Sequence, residues 1–137
     1  MKIKLDSYAY KPTRAYPTDA GLDLYSPVDV VIHPHESKVI RTGVHVQIPH
    51  NCVGLIMSKS GLNVKHDITS EGVIDENYTG EIIVKLYNNG STYYHVHAED
   101  KITQLLVMPV LYEKVEFVEE DFEETERGSN GFGSTGR

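Results

Sequence analysis

The sequence predicts an all-β domain, a barrel, sandwich or jelly roll with little helix and a flexible C-terminal arm. Three features of the pattern predict it: short apolar runs rich in β-branched residues, turn-type clusters between them, and no window with the long apolar stripe of an amphipathic helix. In chain order, Val30 to Ile32, Val44 to Ile48, Val53 to Met57, Ile82 to Tyr87, Ile102 to Val107 and Val115 to Val118 are expected to be strands. Alternation from Gly43 to Ile48 puts Val44, Val46 and Ile48 on one face and His45 and Gln47 on the other, as a half-buried strand requires. Clusters such as Tyr16-Pro17-Thr18-Asp19-Ala20-Gly21, His33-Pro34-His35, Pro49-His50-Asn51 and Asn88-Asn89-Gly90-Ser91 supply the turns. Ser60 to Lys65 and Glu119 to Glu126 could each form a turn or two of helix.

With 137 residues the chain suits one domain. Composition divides it into a β core over residues 1–118 and, over residues 119–137, an acidic linker followed by a Gly-rich arm. Cys52 is the single cysteine and has no internal partner, which favours a reducing compartment, the cytoplasm. The N-terminus has no apolar h-region and no run of about eighteen apolar residues occurs, so neither export nor a membrane span is expected. A formal net charge of -7 argues against a nucleic-acid polymer as partner, because such binding depends on clustered Lys and Arg. A single anionic nucleotide remains compatible with that charge if local positive groups or a divalent cation offset the field.

Several segments carry chemistry. Phe132 stands alone among glycines, with Arg127 before it and Ser134 and Thr135 after. An aromatic ring can stack on a base while hydroxyls and backbone N–H groups hold phosphates, although the tail has no P-loop pattern and its default reading is a mobile terminus. Glu71 to Gly80 is expected to be a hairpin with Asp75 to Asn77 near its turn and a further strand from Glu81; Asp75 is either plain turn chemistry or a general base. Asp19 to Ser26 is a turn entering a strand, and Met57 to Leu62 a strand end. The pairs His33/His35 and His95/His97 could each share a strand face, but no Cys or acidic residue completes a zinc spacing.

Taken together and in order, these pieces resemble the five motifs of the homotrimeric dUTPase family, from Ala20-Gly21-Leu22-Asp23-Leu24 to Arg127-Gly128-Ser129-Asn130-Gly131-Phe132-Gly133-Ser134-Thr135-Gly136. The third motif, Gly72 to Gly80, and the fifth are the most specific. The resemblance implies a jelly-roll subunit in a three-fold trimer, with active sites at subunit interfaces and the C-terminal arm closing over a neighbour's site. It implies hydrolysis of dUTP to dUMP and pyrophosphate, which keeps uracil out of DNA and supplies dUMP for dTMP synthesis.

By the same resemblance, Asp75 activates the water that attacks the α-phosphorus, and Mg²⁺ arrives with the triphosphate, its water shell touched by Asp23. Ser60 with Gly61 in the second motif and Gln104 in the fourth match phosphate-binding positions, and Arg127 adds charge-assisted bonds. Tyr78 packs under the deoxyribose, Gly72, Val73 and Ile74 present backbone to the uracil edge, and Phe132, Gly133, Ser134 and Thr135 close over the nucleotide. Departures from the family pattern are Lys59 in place of an arginine, Glu99 and Thr103 in the fourth motif, and Ser70 and Glu71 before Gly72. Two other readings stay open: a dCTP deaminase-like relative of the same fold, and a nucleotide-dependent module whose main partner is a regulatory protein.

Overall fold

The computed structural model describes residues 1–131 and forms a sandwich of two four-stranded antiparallel sheets with a small two-stranded sheet beside them. One sheet is ordered β1 (Lys2–Leu5), β4 (Ser37–Gln47), β8 (Glu81–Asn88), β6 (Ile68–Thr69), and the other β2 (Leu22–Tyr25), β10 (Lys101–Pro109), β5 (Cys52–Met57), β7 (Glu71–Ile74). The third pairs β3 (Val30–Ile32) with β9 (Tyr94–Val96), and one short helix, α1 (Ser60–His66), follows β5. The all-β, jelly-roll-like expectation therefore stands, with the inner faces of both sheets supplying one core.

That core is made of the alternating apolar positions: Leu24, Ile82 and Leu86 are fully enclosed, as are Ile40, Val44 and Val46 from β4. The alternation read from Val44 to Ile48 holds, with Gln47 turned to solvent. In the middle of β4 three consecutive residues, Thr42 to Val44, are buried where alternation alone allows two. A shift in the pairing with β8 between Arg41 and His45 explains this, and Gly43 at φ 68° takes the left-handed conformation that such a bulge requires. Glu81, almost enclosed, satisfies the bulge by accepting from the Gly43 N–H at 2.8 Å, from Arg41 Nε at 2.8 Å and from the Tyr8 hydroxyl at 3.0 Å.

Four expectations change. Val115 to Val118 is not a strand: β10 ends at Pro109, and residues 111–131 are exposed without ladder partners, because no sheet edge in the same chain receives them. Glu119 to Glu126 is not helical; its side chains form an almost continuous like-charged run with no apolar face to bury. Glu71 to Gly80 is not a ladder-paired hairpin. The turn is present, closed by the Tyr78 N–H to the Asp75 carbonyl at 3.0 Å, but β7 pairs with β5 and β8 with β4 and β6, so the chain crosses there from one sheet to the other. His33 and His35 sit in the turn after β3 rather than on a strand, His35 at φ 59°.

Candidate active site

Asp23, in the middle of β2, has its main chain bonded on both sides: it is paired with Gln104 of β10 and bridged to Thr13, whose N–H and C=O exchange bonds with it. Its side chain, 9% exposed, points into a pocket of about 460 Å³ lined in part by Asp19, Gly21, Ser58, Lys59, Lys101 and Gln104. Lys59 bonds one carboxylate oxygen and Lys101 the other, the latter at 2.8 Å. Burial pushes the Asp23 carboxyl up, but hydrogen bonds and charge from Lys101 and Lys59 outweigh that, so it is held below the usual carboxylate range and stays ionised.

The same pocket is lined by Gly21 of the first motif, Ser58 and Lys59 of the second and Gln104 of the fourth, while Ser60 and Gly61 follow in the chain and do not line it. Gln104 donates from Nε2 to the Ser58 carbonyl at 3.0 Å, and Thr103 donates to the Met57 carbonyl at 2.9 Å, so β10 pins the strand end from which Ser60 and Gly61 emerge. Ser60 opens α1 and Gly61 faces open space. Glycine at position 21 leaves room for the Gln104 side chain, since a Cβ there would lie 2.1 Å from Gln104 Oε1 and displace it. Ser70 and Thr103 pair their hydroxyls at 2.7 Å in the interior beneath this loop, which explains how two polar departures from the family pattern are accommodated.

Asp75 and Tyr78 belong to a second pocket, of about 210 Å³, lined by Val73, Ile74, Asp75, Tyr78, Glu81 and Ile83. β7 is an edge strand, so from Gly72 to Ile74 one side of the backbone bonds β5 while the other is open to a planar ligand edge. Tyr78 is half-exposed and its hydroxyl donates to the Glu81 carbonyl at 2.9 Å, which fixes the ring across Gly80. Gly80 allows this contact, because a Cβ there would lie 2.5 Å from the Tyr78 hydroxyl.

The two pockets share no residue, and the ladder shows how far apart they lie. Asp23, Gln104, Met57 and Glu71 are successive partners across the sheet, and Asp75 is four residues beyond Glu71 along the chain. Three inter-strand steps of about 4.8 Å and four residues of about 3.3 Å separate Asp23 from Asp75 by roughly 19 Å. One chain therefore carries two separate pockets. Arg127 lies in the exposed C-terminal segment, its Nε donating to the Asn130 carbonyl at 3.2 Å, and reaches neither pocket; Phe132, Gly133, Ser134 and Thr135 lie outside the described residues.

Lys101 has no assigned role in the sequence reading, yet it is the second cation on Asp23. Only the cross-strand register brings a residue three positions before Gln104 onto that carboxylate, so no local pattern could have found it.

The chain is similar to known proteins. The family described as dUTPase matches residues 7–136. The deoxyuridine 5'-triphosphate nucleotidohydrolase of Clostridium novyi (strain NT) is 44% identical over 136 residues, covering 97% of this chain and 95% of that one. Among solved structures, the Staphylococcus bacteriophage 80alpha dUTPase with dUPNHPP aligns at a TM-score of 0.91 with 31% identity, over 99% of this chain and 98% of that one. A mutant dUTPase from phage phi11 of S. aureus, whose structure reveals the coordination of a structural Mg(II) ion, aligns at 0.79 with 30% identity, over 87% of this chain and 96% of that one. With a family match that spans almost every residue and a fold superposable on its solved members, this chain belongs to the dUTPase family.

Proposed function

We infer that this protein hydrolyses dUTP to dUMP and pyrophosphate, and the observation that carries the reading is the small pocket in which Asp75, Tyr78 and the open edge of β7 meet. An exposed strand edge offers N–H and C=O groups that can pair with a uracil as a base would, and a base with the reversed donor pattern leaves them unpaired. Tyr78, braced on Glu81, gives the sugar a flat floor that leaves no room for a 2′-hydroxyl. Asp75 takes a proton from water as its oxygen forms a bond to the α-phosphorus, and the bond from that phosphorus to the pyrophosphate oxygen breaks.

The half-site around Asp23 binds the phosphates. Lys59 and Lys101 supply positive charge against the chain's net charge of -7 and Gln104 a donor, and Ser60 and Gly61 at the start of α1 add donors next to them in the chain. Among the described residues no group of three or more His, Cys, Asp or Glu is placed to hold a metal; the carboxylates lining this pocket are those of Asp19 and the ionised Asp23, too few to cage an ion. That set suits Mg²⁺ held by the triphosphate and reached by Asp23 through water. Bound there, Mg²⁺ would neutralise charge developing on the phosphate oxygens.

With roughly 19 Å between Asp75 and Asp23 within a chain, we infer that the two residues serving one nucleotide come from different copies. We accordingly place the complete site between subunits of a homotrimer, with residues 119–137, including Arg127 and Phe132, Gly133, Ser134 and Thr135, closing over it as a lid. No helix among the described residues is long and apolar enough to cross a membrane, and the lone Cys52 supports an intracellular, reducing location. The test is pyrophosphate release with Mg²⁺ from dUTP, UTP, dTTP and dCTP, with an EDTA control. Metal-dependent release from dUTP alone is expected. Ammonia from dCTP would move the activity to a deaminase, and no product from any nucleotide would leave a binding protein.

A further inference from the structure

Asp75 makes no side-chain hydrogen bond among the described residues, whereas its neighbour Glu76 makes three. His50 Nδ1 meets Glu76 Oε1 at 2.6 Å, the Asn51 N–H donates to Oε2 at 3.0 Å, and the Tyr112 hydroxyl donates to the same oxygen at 2.9 Å. The Glu76 side chain is 22% exposed, while His50 beside it is 81% exposed. These donors come from two distant segments: the turn before β5, where Asn51 takes the left-handed conformation at φ 57°, and the start of the C-terminal segment after β10. Those segments are also joined to each other, because the Asn51 carbonyl accepts from the Val110 N–H at 2.9 Å. Hydrogen bonds from His50 and Tyr112 hold the Glu76 carboxyl below its usual range, so the clasp binds a carboxylate.

With no side-chain hydrogen bond among the described residues to orient it, Asp75 depends for its aim on the backbone of its own turn. The planar peptide between Asp75 and Glu76 fixes their Cα atoms about 3.8 Å apart, and an anchor on one therefore limits the other. We propose that Glu76 is the positioning residue of the Asp75–Tyr78 turn: clasped by His50, Asn51 and Tyr112, it aims Asp75 at the substrate and couples that turn to the root of the C-terminal arm. This rests on Asp75 being the base. Misplacing a reacting group by about 1 Å costs up to ~10²-fold in rate, so partial release of the turn is expected to act on kcat.

The experiment measures kcat and KM for dUTP with Mg²⁺ on the full chain and on Glu76→Ala, Glu76→Gln, Tyr112→Phe and Asp75→Asn. Glu76→Ala is expected to lower kcat about 10-fold while KM stays within about 2-fold. Glu76→Gln recovers most of the loss, since its amide oxygen still accepts from Asn51 and Tyr112 while its NH₂ faces a neutral His50 nitrogen. Tyr112→Phe, outside the turn, loses a few-fold in kcat. Wild-type kcat in Glu76→Ala beside an inactive Asp75→Asn overturns the positioning role, as does a loss confined to KM or one that Glu76→Gln fails to rescue. Near-normal turnover in Asp75→Asn instead overturns the assignment of the base. Should Glu76→Ala not fold, the double variant His50→Ala/Tyr112→Phe carries the same expectation, because it removes two donors without altering the turn.

Discussion

On the proposed function, Asp75 in the smaller pocket serves the chemistry and Gly80, against the Tyr78 ring that lines it, serves selectivity. Asp75→Asn keeps the size of the side chain but cannot take the proton, so turnover is expected to fall at least ~10²-fold while dUTP still binds; rapid-quench and equilibrium binding separate the two. Gly80 is selective by what it lacks. A methyl group there would lie 2.5 Å from the Tyr78 hydroxyl and 2.9 Å from a ring carbon, so Gly80→Ala must swing the ring off its Glu81 contact. The expected result is a smaller ratio of kcat/KM for dUTP over UTP, with the fold retained; an unchanged ratio would remove Tyr78 from sugar discrimination. Lys59 and Lys101 act differently, as point charges that keep Asp23 ionised in a nearly enclosed position.

Between elements, the crossing from β7 to β8 is held at both ends. Glu76 ties its start to the turn before β5, and His45 on β4 ties its far end, Nδ1 facing the Thr79 carbonyl at 3.1 Å and Nε2 the Asp6 carboxylate at 3.3 Å. Both ring nitrogens meet acceptors, so only the imidazolium can donate to both. The Thr79 carbonyl first and Asp6 second raise the His45 pKa, against desolvation and the nearby Lys4. A raised folded pKa gives a contribution that is complete below the unfolded value and lost as pH rises through the folded one. The thermal midpoint of the wild type is thus expected to fall relative to His45→Gln as pH rises from about 5.5 to about 8.5. Parallel midpoints across that window would show that His45 does not titrate with folding.

For the whole molecule the decisive quantity is the separation of roughly 19 Å between Asp75 and Asp23 across and along the sheet. Complementation tests this. Asp75→Asn and Asp23→Asn chains are each expected to be inactive, yet mixed and reassembled at equal amounts they should regain roughly a quarter of wild-type activity, since a shared site draws each residue from a different subunit. Failure to regain any activity would place both residues in one subunit's site. Removing residues 127–137 is expected to abolish most turnover and leave the trimer folded by sedimentation and circular dichroism, because β10 ends at Pro109 and the core lies before it. A truncated chain that fails to assemble would make the arm structural instead.

The sequence by itself determined the class of fold and named the candidate site residues. Alternating β-branched runs leave little choice but strands, and the five motifs name Asp23, Asp75 and Tyr78 without any coordinates. Strand content was legible because side-chain period is a local property; partner choice was not, since it depends on which edges remain free once the core has packed. Val115 to Val118 has the composition of a strand and no edge to join, and Glu71 to Gly80 has the turn of a hairpin whose two strands pair elsewhere. Lys101 on Asp23 and Tyr112 on Glu76 bring together residues 78 and 36 positions apart, and only tertiary structure decides contacts at that range. The separation of the candidate residues into two pockets was likewise decided by the order of strands in a sheet, a consequence of packing two apolar faces together that no single segment encodes.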